Sequence, residues 1–237
     1  DGAYVVAGYS KSLDGDLKEN KGLNDIWIIK LNPYDGSFIW QKTYGDIGDD
    51  KAISIIETSD EAYVIAGTTE SNNNKYDYWV LKINSNDGSI IWQKTYGGSG
   101  DDVAYSIIES SDGTYVIAGN IEIDNRLRDY WVLKIDSNDG SIVWQKTYGG
   151  SSADEVYSII ESNDGAYVIS GWSESNDGDI TQNKGMSDYF IIKLSQKDGS
   201  IIWQKTYGGS FPDIAYSIIE SSDLNYVITG ASMSTDG

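Results

Sequence analysis

Three features of this 237-residue sequence predict an all-β fold made of repeated four-stranded antiparallel sheets. The string WQKTYG begins at Trp40, Trp92, Trp144 and Trp203, and so recurs after 52, 52 and 59 residues. Each interval holds four short runs rich in β-branched and aromatic residues, the composition that suits a pleated surface. Turn strings separate the runs, and the Asp-Gly pairs among them favour tight antiparallel hairpins. Four antiparallel strands every 50–60 residues or so is the pattern of a β-propeller blade. The chain is therefore read as a single β-propeller domain, or a fragment of one, with repeat units at about 1–49, 50–101, 102–153, 154–212 and 213–237.

The four strands of a unit are called A to D. Strand A carries S-I-I-E, from Ser54, Ser106, Ser158 and Ser217. Strand B is Y-V-hydrophobic-small-Gly and ends at Gly8, Gly67, Gly119, Gly171 and Gly230. Strand C opens at Asp25, Asp77, Asp129 and Asp188, and strand D is the WQKTY run. In the unit that starts at Asp102 the runs are Ala104–Ser110, Thr114–Gly119, Asp129–Ile135 and Ser141–Tyr148, each of ordinary strand length. SSDG joins A to B, SNDG joins C to D, and GGSS follows D. Along the chain the tally is B-C-D, three complete sets, then A-B. That makes 17 strands with incomplete end blades. DGAYV begins inside an A–B turn, and the final SMSTDG matches SESNDG at Ser173–Gly178, so the sequence reads as part of a longer chain.

The runs are apolar on both faces. In strand C of the third unit, Trp131, Leu133 and Ile135 point one way and Tyr130 and Val132 the other. Burial on both sides is expected of a sheet stacked between two neighbours. Trp27, Trp40, Trp79, Trp92, Trp131, Trp144 and Trp203 are accordingly read as core residues that fill the gaps between blades.

DGAYVVAG followed by NDIWIIKLNPYDGSFIW resembles a Kelch repeat, with Ala-Gly, Ser-Gly or Thr-Gly in place of the Kelch Gly-Gly. KINSNDGSIIW resembles the tryptophan-docking repeat of quinoprotein-type propellers. The whole is most similar to tandem repeats, rich in WQKTYGGS and DGGYIVAG-like strings, of secreted and surface proteins of bacteria and archaea. That resemblance covers nearly the whole chain. It implies an extracellular or cell-surface setting and no particular reaction, because propellers host many unrelated functions.

Composition narrows the function. The formal charge is −20, which repels phosphate backbones and anionic membranes, so no nucleic-acid partner is expected. No apolar run approaches the length of a membrane helix, so no membrane insertion is expected. There is no cysteine, hence no disulfide or thiolate site, and no histidine, hence no Ser-His-Asp or Cys-His mechanism.

Connections alternate between the two ends of an antiparallel blade. The A–B and C–D turns are short and uniform. The B–C and D–A loops at the other end vary, and variable loops on a fixed scaffold are where function concentrates. The shorter B–C segments are Thr68–Tyr76 and Asn120–Arg128; the longer ones contain LDGDLKENKG (Leu13–Gly22) and NDGDITQNKG (Asn176–Gly185). In the long pair Asp14, Asp16 and Asn20, and Asp177, Asp179 and Asn183, offer oxygen ligands around a glycine, so Ca²⁺ is the one cofactor the sequence raises. The plainer reading is an Asp-Gly turn held by local hydrogen bonds. Aspartates also recur before strand A (Asp50, Asp102, Asp154, Asp213) and at the start of strand C. Their presence in every unit favours a role in fixing loop backbone N–H groups over cation binding. What does not repeat is the residue after the strand-B glycine, and there Tyr9 and Trp172 are candidate ligand-binding aromatics.

The expected function is a non-catalytic extracellular or cell-surface module for protein or glycan interaction or structural assembly, with protein or glycan bound at the loop face. Homo-oligomers through the incomplete end blades are a further expected partner. The alternative is a carboxylate-based glycoside hydrolase, or another propeller enzyme. The adjacent pairs Asp49/Asp50 and Asp101/Asp102 are poor candidates for it, because neighbouring strand residues point to opposite sides.

Overall fold

The computed structural model describes residues 2–17, 19–71, 75–124 and 127–236. Parts of three B–C segments discussed above (Lys18, 72–74 and 125–126) and both terminal residues lie outside the described residues. The described residues contain 17 strands and no helix. The chain divides into two compact units, Asp1–Ala104 and Tyr105–Gly237.

The first unit has two sheets. Sheet 1 is three-stranded, in the order β1 (Tyr4–Ser10), β2 (Asp25–Leu31), β3 (Phe38–Tyr44). Sheet 2 is four-stranded: β4 (Lys51–Glu57), β5 (Ala62–Glu70), β6 (Tyr76–Asn84), β7 (Ile90–Tyr96). The second unit contains sheet 3, of β8 (Val103–Glu109, which begins at the end of the first unit), β9 (Tyr115–Asp124), β10 (Leu127–Ile135) and β11 (Ile142–Tyr148). Sheet 4 follows with β12 (Asp154–Glu161), β13 (Tyr167–Ser173), β14 (Asp188–Leu194) and β15 (Ile201–Tyr207), and then the two-stranded sheet 5 of β16 (Asp213–Glu220) and β17 (Tyr226–Ser232). Sequential strands are neighbours in every sheet, so the B-C-D, three complete sets and A-B read from the sequence are the sheets observed.

One expectation is corrected. The shorter B–C segments are mostly strand, not loop: the ladder of β5 and β6 runs out to Glu70 opposite Tyr76, and that of β9 and β10 to Asp124 opposite Leu127. Thr68, Thr69, Ile121 and Ile123 are β-branched, and no Gly or Pro stands among them to stop the ladder.

Strand A is bulged where it meets strand B. The register slips between Ala52 and Ser54, Val156 and Ser158, and Ala215 and Ser217, leaving Ile53, Tyr157 and Tyr216 as the extra residues. The strand-B glycine makes room for this. A Cβ on Gly67, Gly171 or Gly230 would run into the carbonyl oxygen of Lys51, Glu155 or Ile214 respectively. Gly8 has no strand A beside it, and a Cβ there would meet nothing.

Sheet 4 is buried on both faces. Tyr167, Ile169, Phe190 and Ile192 join one core with Val116, Tyr130 and Val132 of sheet 3. Val168 and Ile191, on alternate positions, join another with Ala215 and Ile218 of sheet 5. In the first unit Ile26, Ile28 and Tyr44 of sheet 1 pack with Tyr63, Ile65 and Leu81 of sheet 2.

Within each unit the same three residues tie successive sheets together. The strand-D tryptophan lies tilted on the strand-B tyrosine of the next sheet, with centroids 6.5 Å apart for Trp40 and Tyr63, 6.3 Å for Trp144 and Tyr167, and 6.1 Å for Trp203 and Tyr226. Its indole N–H donates to the next C–D turn, to Ser85 O at 3.1 Å from Trp40 and Gln196 O at 3.3 Å from Trp144. A buried strand-C lysine lies over the same tyrosine: Lys30 on Tyr63, Lys134 on Tyr167, Lys193 on Tyr226. Lys82, Lys134 and Lys193 also pair with Asp60, Asp112 and Asp164 in the A–B turn of their own sheet. Trp40, Trp144 and Trp203 therefore bridge sheets as expected, whereas of the seven repeat tryptophans only Trp79 and Trp131 are buried, at 8% and 5% exposure. Trp27, Trp40, Trp92, Trp144 and Trp203 are half-buried. Trp40, Trp92, Trp144 and Trp203 stand on an edge strand, where one side stays open.

Candidate functional site

The variable B–C and D–A connections lie together at one end of each sheet. The long loops are held by their asparagines. Asn183 Nδ2 donates to Ser173 O at 3.0 Å and Met186 O at 2.9 Å, while its Oδ1 accepts from Gly185 N at 3.0 Å. Asn20 repeats this with Ser10 O, Leu23 O and Gly22 N. Asp177 Oδ1 accepts from Ser151 N at 2.7 Å and Asp179 Oδ2 from Gly149 N at 3.3 Å, so both dock the loop on the D–A turn of the preceding sheet. Asp14 and Asp16 are exposed. Among the described residues no three Asp, Glu, His or Cys side chains gather as a metal-ligand set. The contacts seen at Asn20, Asn183, Asp177 and Asp179 are those of a hydrogen-bonded loop.

The same loops insert an apolar residue. Ile180 is 1% exposed and belongs to the core with Tyr148 and Phe190, and Leu17 at the matching position is 4% exposed. Directly after Ile180 the loop is bound to strand D, with Gln204 Nε2 donating to Thr181 Oγ1 at 2.8 Å and Thr206 Oγ1 to Gln182 O at 2.5 Å.

The aspartates of strands A and C converge in pairs on the glycine that follows WQKTY. The point where a Cβ of Gly45 would sit is 2.5 Å from Asp25 Oδ1 and 2.7 Å from Asp50 Oδ2. At Gly149 both Asp129 Oδ1 and Asp154 Oδ2 are 2.6 Å away, and Gly97 and Gly208 are flanked in the same way by Asp77 with Asp102 and by Asp188 with Asp213. The repeated glycine is required because two carboxylates occupy its side-chain space. One oxygen of each strand-A aspartate accepts a loop N–H: Asp50 from Asp46 at 3.0 Å, Asp102 from Gly98 at 2.8 Å, Asp154 from Gly150 at 2.9 Å, Asp213 from Gly209 at 2.9 Å. This is the backbone-fixing role expected of them. Asp25, Asp50, Asp154, Asp188 and Asp213 each keep a second buried oxygen without a hydrogen-bond partner. Burial raises the pKa of Asp50, Asp154 and Asp188. Burial, with the charges of Asp154 and Asp179, pushes Asp129 up to about 7.

Asp129 therefore sets a pH dependence. The unfolded chain releases this proton near its ordinary value, the folded chain near pH 7. Between the two the unfolded state holds fewer protons, so the group's stabilising contribution is complete below about pH 4 and is lost as pH rises to about 7. Asp129→Asn is expected to gain about 1–2 kcal/mol over the parent at pH 8 after allowance for solvent screening of this half-exposed group, and nothing near pH 4. Urea unfolding at both pH values checks this. An equal effect at the two would mean that the pair is not electrostatically strained.

Tyr9 and Trp172 stand in separate clusters, one in each unit. Tyr9 is 54% exposed and, with Tyr76, flanks the Lys51 ammonium, which lies 5.6 and 5.5 Å from the two ring centroids. Lys51 pairs with Asp49 at 2.5 Å, and Asp49 accepts from Tyr76 Oη at 3.0 Å and from Asn24 Nδ2. Burial and this bond to Asp49 raise Tyr76 to about 12. Asp49 and Asp50 thus face different partners, as strand alternation requires. Trp172 is half-buried and donates its indole N–H to Tyr157 Oη at 3.3 Å; Tyr157 in turn donates to Glu155 at 3.0 Å, and Glu155 pairs with Arg128 at 3.0 Å. Tyr105, Tyr157 and Tyr216 form a row at centroid spacings of 5.4 Å.

Sequence reasoning missed a groove in the first unit. A cavity of about 500 Å³ opens between strand D of sheet 1 and strand D of sheet 2, over Trp79. Its wall includes Gln93 and Thr95, the counterparts in WQKTYG of the residues that bind the long loop in sheet 4. The signal that could have revealed it is the pairing of a constant Gln-Lys-Thr with B–C connections of two lengths.

No protein-family model matches the sequence, and no curated protein sequence matches it. Its structure is similar to those of β-propeller proteins. BamB from Moraxella catarrhalis shares 16% identity at a TM-score of 0.53, over 86% of this chain and 53% of BamB. A protein of unknown function from Dyadobacter fermentans shares 11% at 0.57, over 97% of this chain and 71% of that one. Quinohemoprotein alcohol dehydrogenase from Comamonas testosteroni shares 10% at 0.53, over 88% and 38% respectively. The fold and the repeated strand unit define this chain as a β-propeller repeat protein. It spans about half the length of BamB. Identities this low establish the fold alone.

Proposed function

We propose that the chain is a non-catalytic interaction module of a secreted or surface protein, and that it binds a protein partner through the end that carries the B–C and D–A connections. The observation that carries this reading is the set of large apolar side chains those connections hold in solvent. In the first unit Leu13 is 70% exposed, Leu23 62% and Ile47 87%; in the second Met186, Phe211 and Met233 are all more than half exposed. Apolar side chains ringed by polar and charged groups are the composition of a protein contact surface. The net charge of −20 favours a basic partner surface. The resemblance of the repeat to secreted and surface repeats supports the setting. The converging aspartates belong to every repeat and hold backbone, which supports a structural role for them over hydrolysis.

The test places a photo-crosslinking residue at Ile47, at Phe211 and, at the other end of the sheets, at Tyr34, which is 95% exposed. Crosslinks to one defined extracellular protein from Ile47 and Phe211, and none from Tyr34, are expected. Equal labelling from all three would remove the reading. So would hydrolysis of aryl glycosides that disappears in Asp129→Asn.

A further inference from the structure

The two long B–C loops show what the strand-D end of a sheet binds. In sheet 4 the groove against sheet 3 is filled by the chain's own segment Asp-Ile-Thr-Gln. Ile180 enters the core beside Phe190 and Tyr148. Gln204 and Thr206, on strand D, take the hydroxyl of Thr181 and the carbonyl of Gln182. Asp177 caps the N–H of Ser151 on the facing turn. In sheet 1 the same pattern is visible in part, with Leu17 buried and Gln41 Nε2 donating to Asp16 O at 2.9 Å.

Sheet 2 has the same strand D but a different B–C connection. Its hairpin runs β5 into β6 and is closed by Ser71 N to Lys75 O at 2.6 Å, and among the described residues there no segment corresponds to Asp-Ile-Thr-Gln. What remains is the cavity of about 500 Å³, with Tyr44, Trp79 and Ile90 as its apolar wall and Gln93, Lys94 and Thr95 as its polar one. Trp79 stands where sheet 4 has Phe190. Gln93 and Thr95 are exposed, whereas Gln204 and Thr206 under their loop are half-buried. The volume is that of a small-ligand or peptide site.

We propose that this groove binds an extended peptide segment of a partner protein, with an Ile or Leu side chain over Trp79 and the flanking hydroxyl and carbonyl on Gln93 and Thr95. Lys21, Lys94, Asp46 and Asp50 all line the groove. Its own charges therefore balance, and the apolar residue with its flanking hydroxyl and carbonyl, rather than net charge, selects the segment. The assignment rests on the protein-interaction reading above and names the site and the chemistry of the partner.

The probe is a fluorescein-labelled peptide, NDGDITQNKG, titrated against the whole chain by anisotropy. Saturable one-to-one binding is expected. It should weaken roughly tenfold in the double variant Gln93→Ala, Thr95→Val, and with a probe carrying Asp in place of its Ile. Both substituted side chains are exposed, so the variant keeps its fold, which its unfolding midpoint verifies. No saturable binding at millimolar peptide, or binding that ignores the double variant, overturns the proposal. Binding of a neutral oligosaccharide that the double variant abolishes, with no peptide binding, overturns it in favour of a glycan site. If the peptide fails while Ile47 and Phe211 still crosslink, only the groove assignment falls; if both fail, the interaction reading falls with it.

Discussion

Gly171→Ala unfolds at a much lower urea concentration than the parent, while Gly8→Ala, the same substitution at the same place in the repeat, unfolds with it. A Cβ on Gly171 would meet the carbonyl oxygen of Glu155, Tyr130 Oη at 2.5 Å and Val156 Cα at 2.8 Å. Two of these are backbone atoms of the bulged strand A and cannot swing away. Relief requires that β12 and β13 separate or that the bulge be lost, and overpacking of that kind costs about 3 kcal/mol. Gly8 faces open space because β1 has no strand A beside it. There the alanine loses less backbone entropy on folding than glycine does, so the change is expected within about 0.5 kcal/mol of neutral. Equal losses in the two variants would show that the glycine serves backbone conformation rather than the bulge.

Trp144→Ala carries the second large effect, about 3 kcal/mol in the same measurement. Its ring covers the core shared by sheets 3 and 4, lies against Tyr167 and donates to Gln196 O. Removing it uncovers the face of Tyr167 over which Lys134 is held, and Lys134 is 3% exposed. Trp144→Phe keeps most of the contact and loses one hydrogen bond, so about 1 kcal/mol is expected there. A Phe variant as unstable as the Ala variant would mean that the indole N–H, not the packing, holds the two sheets together.

Legibility in the sequence followed the range of the interaction. Strand identity was visible because alternation with period two and Asp-Gly turns are local. Gly36, Gly88, Gly140 and Gly199 all take positive φ in the C–D turns that their Asp-Gly strings announce. The A–B turns show the limit of that signal, since Glu61 and Leu224 adopt the same left-handed backbone without glycine. In the long loops Asp14, Asp16, Asn20, Asp177, Asp179 and Asn183 looked like oxygen ligands by spacing. The structure gives the asparagines and the second pair of aspartates loop-holding hydrogen bonds, contacts between chain segments that spacing alone does not reveal.

The sequence by itself determined the number, order and kind of strands, the incomplete first and last sheets, and the burial of both faces of a complete one. Each of these follows from a pattern that recurs within a few residues. Only the tertiary structure decided that Asp25 meets Asp50 and Asp129 meets Asp154 over a glycine, that Trp144 stays half open on its edge strand, and that a groove opens above Trp79 where Ile180 enters the core at its counterpart. Those outcomes depend on register between strands and on how one sheet stacks on the next. Both are set by the sum of many weak contacts between residues far apart in the chain, which no single stretch of sequence encodes.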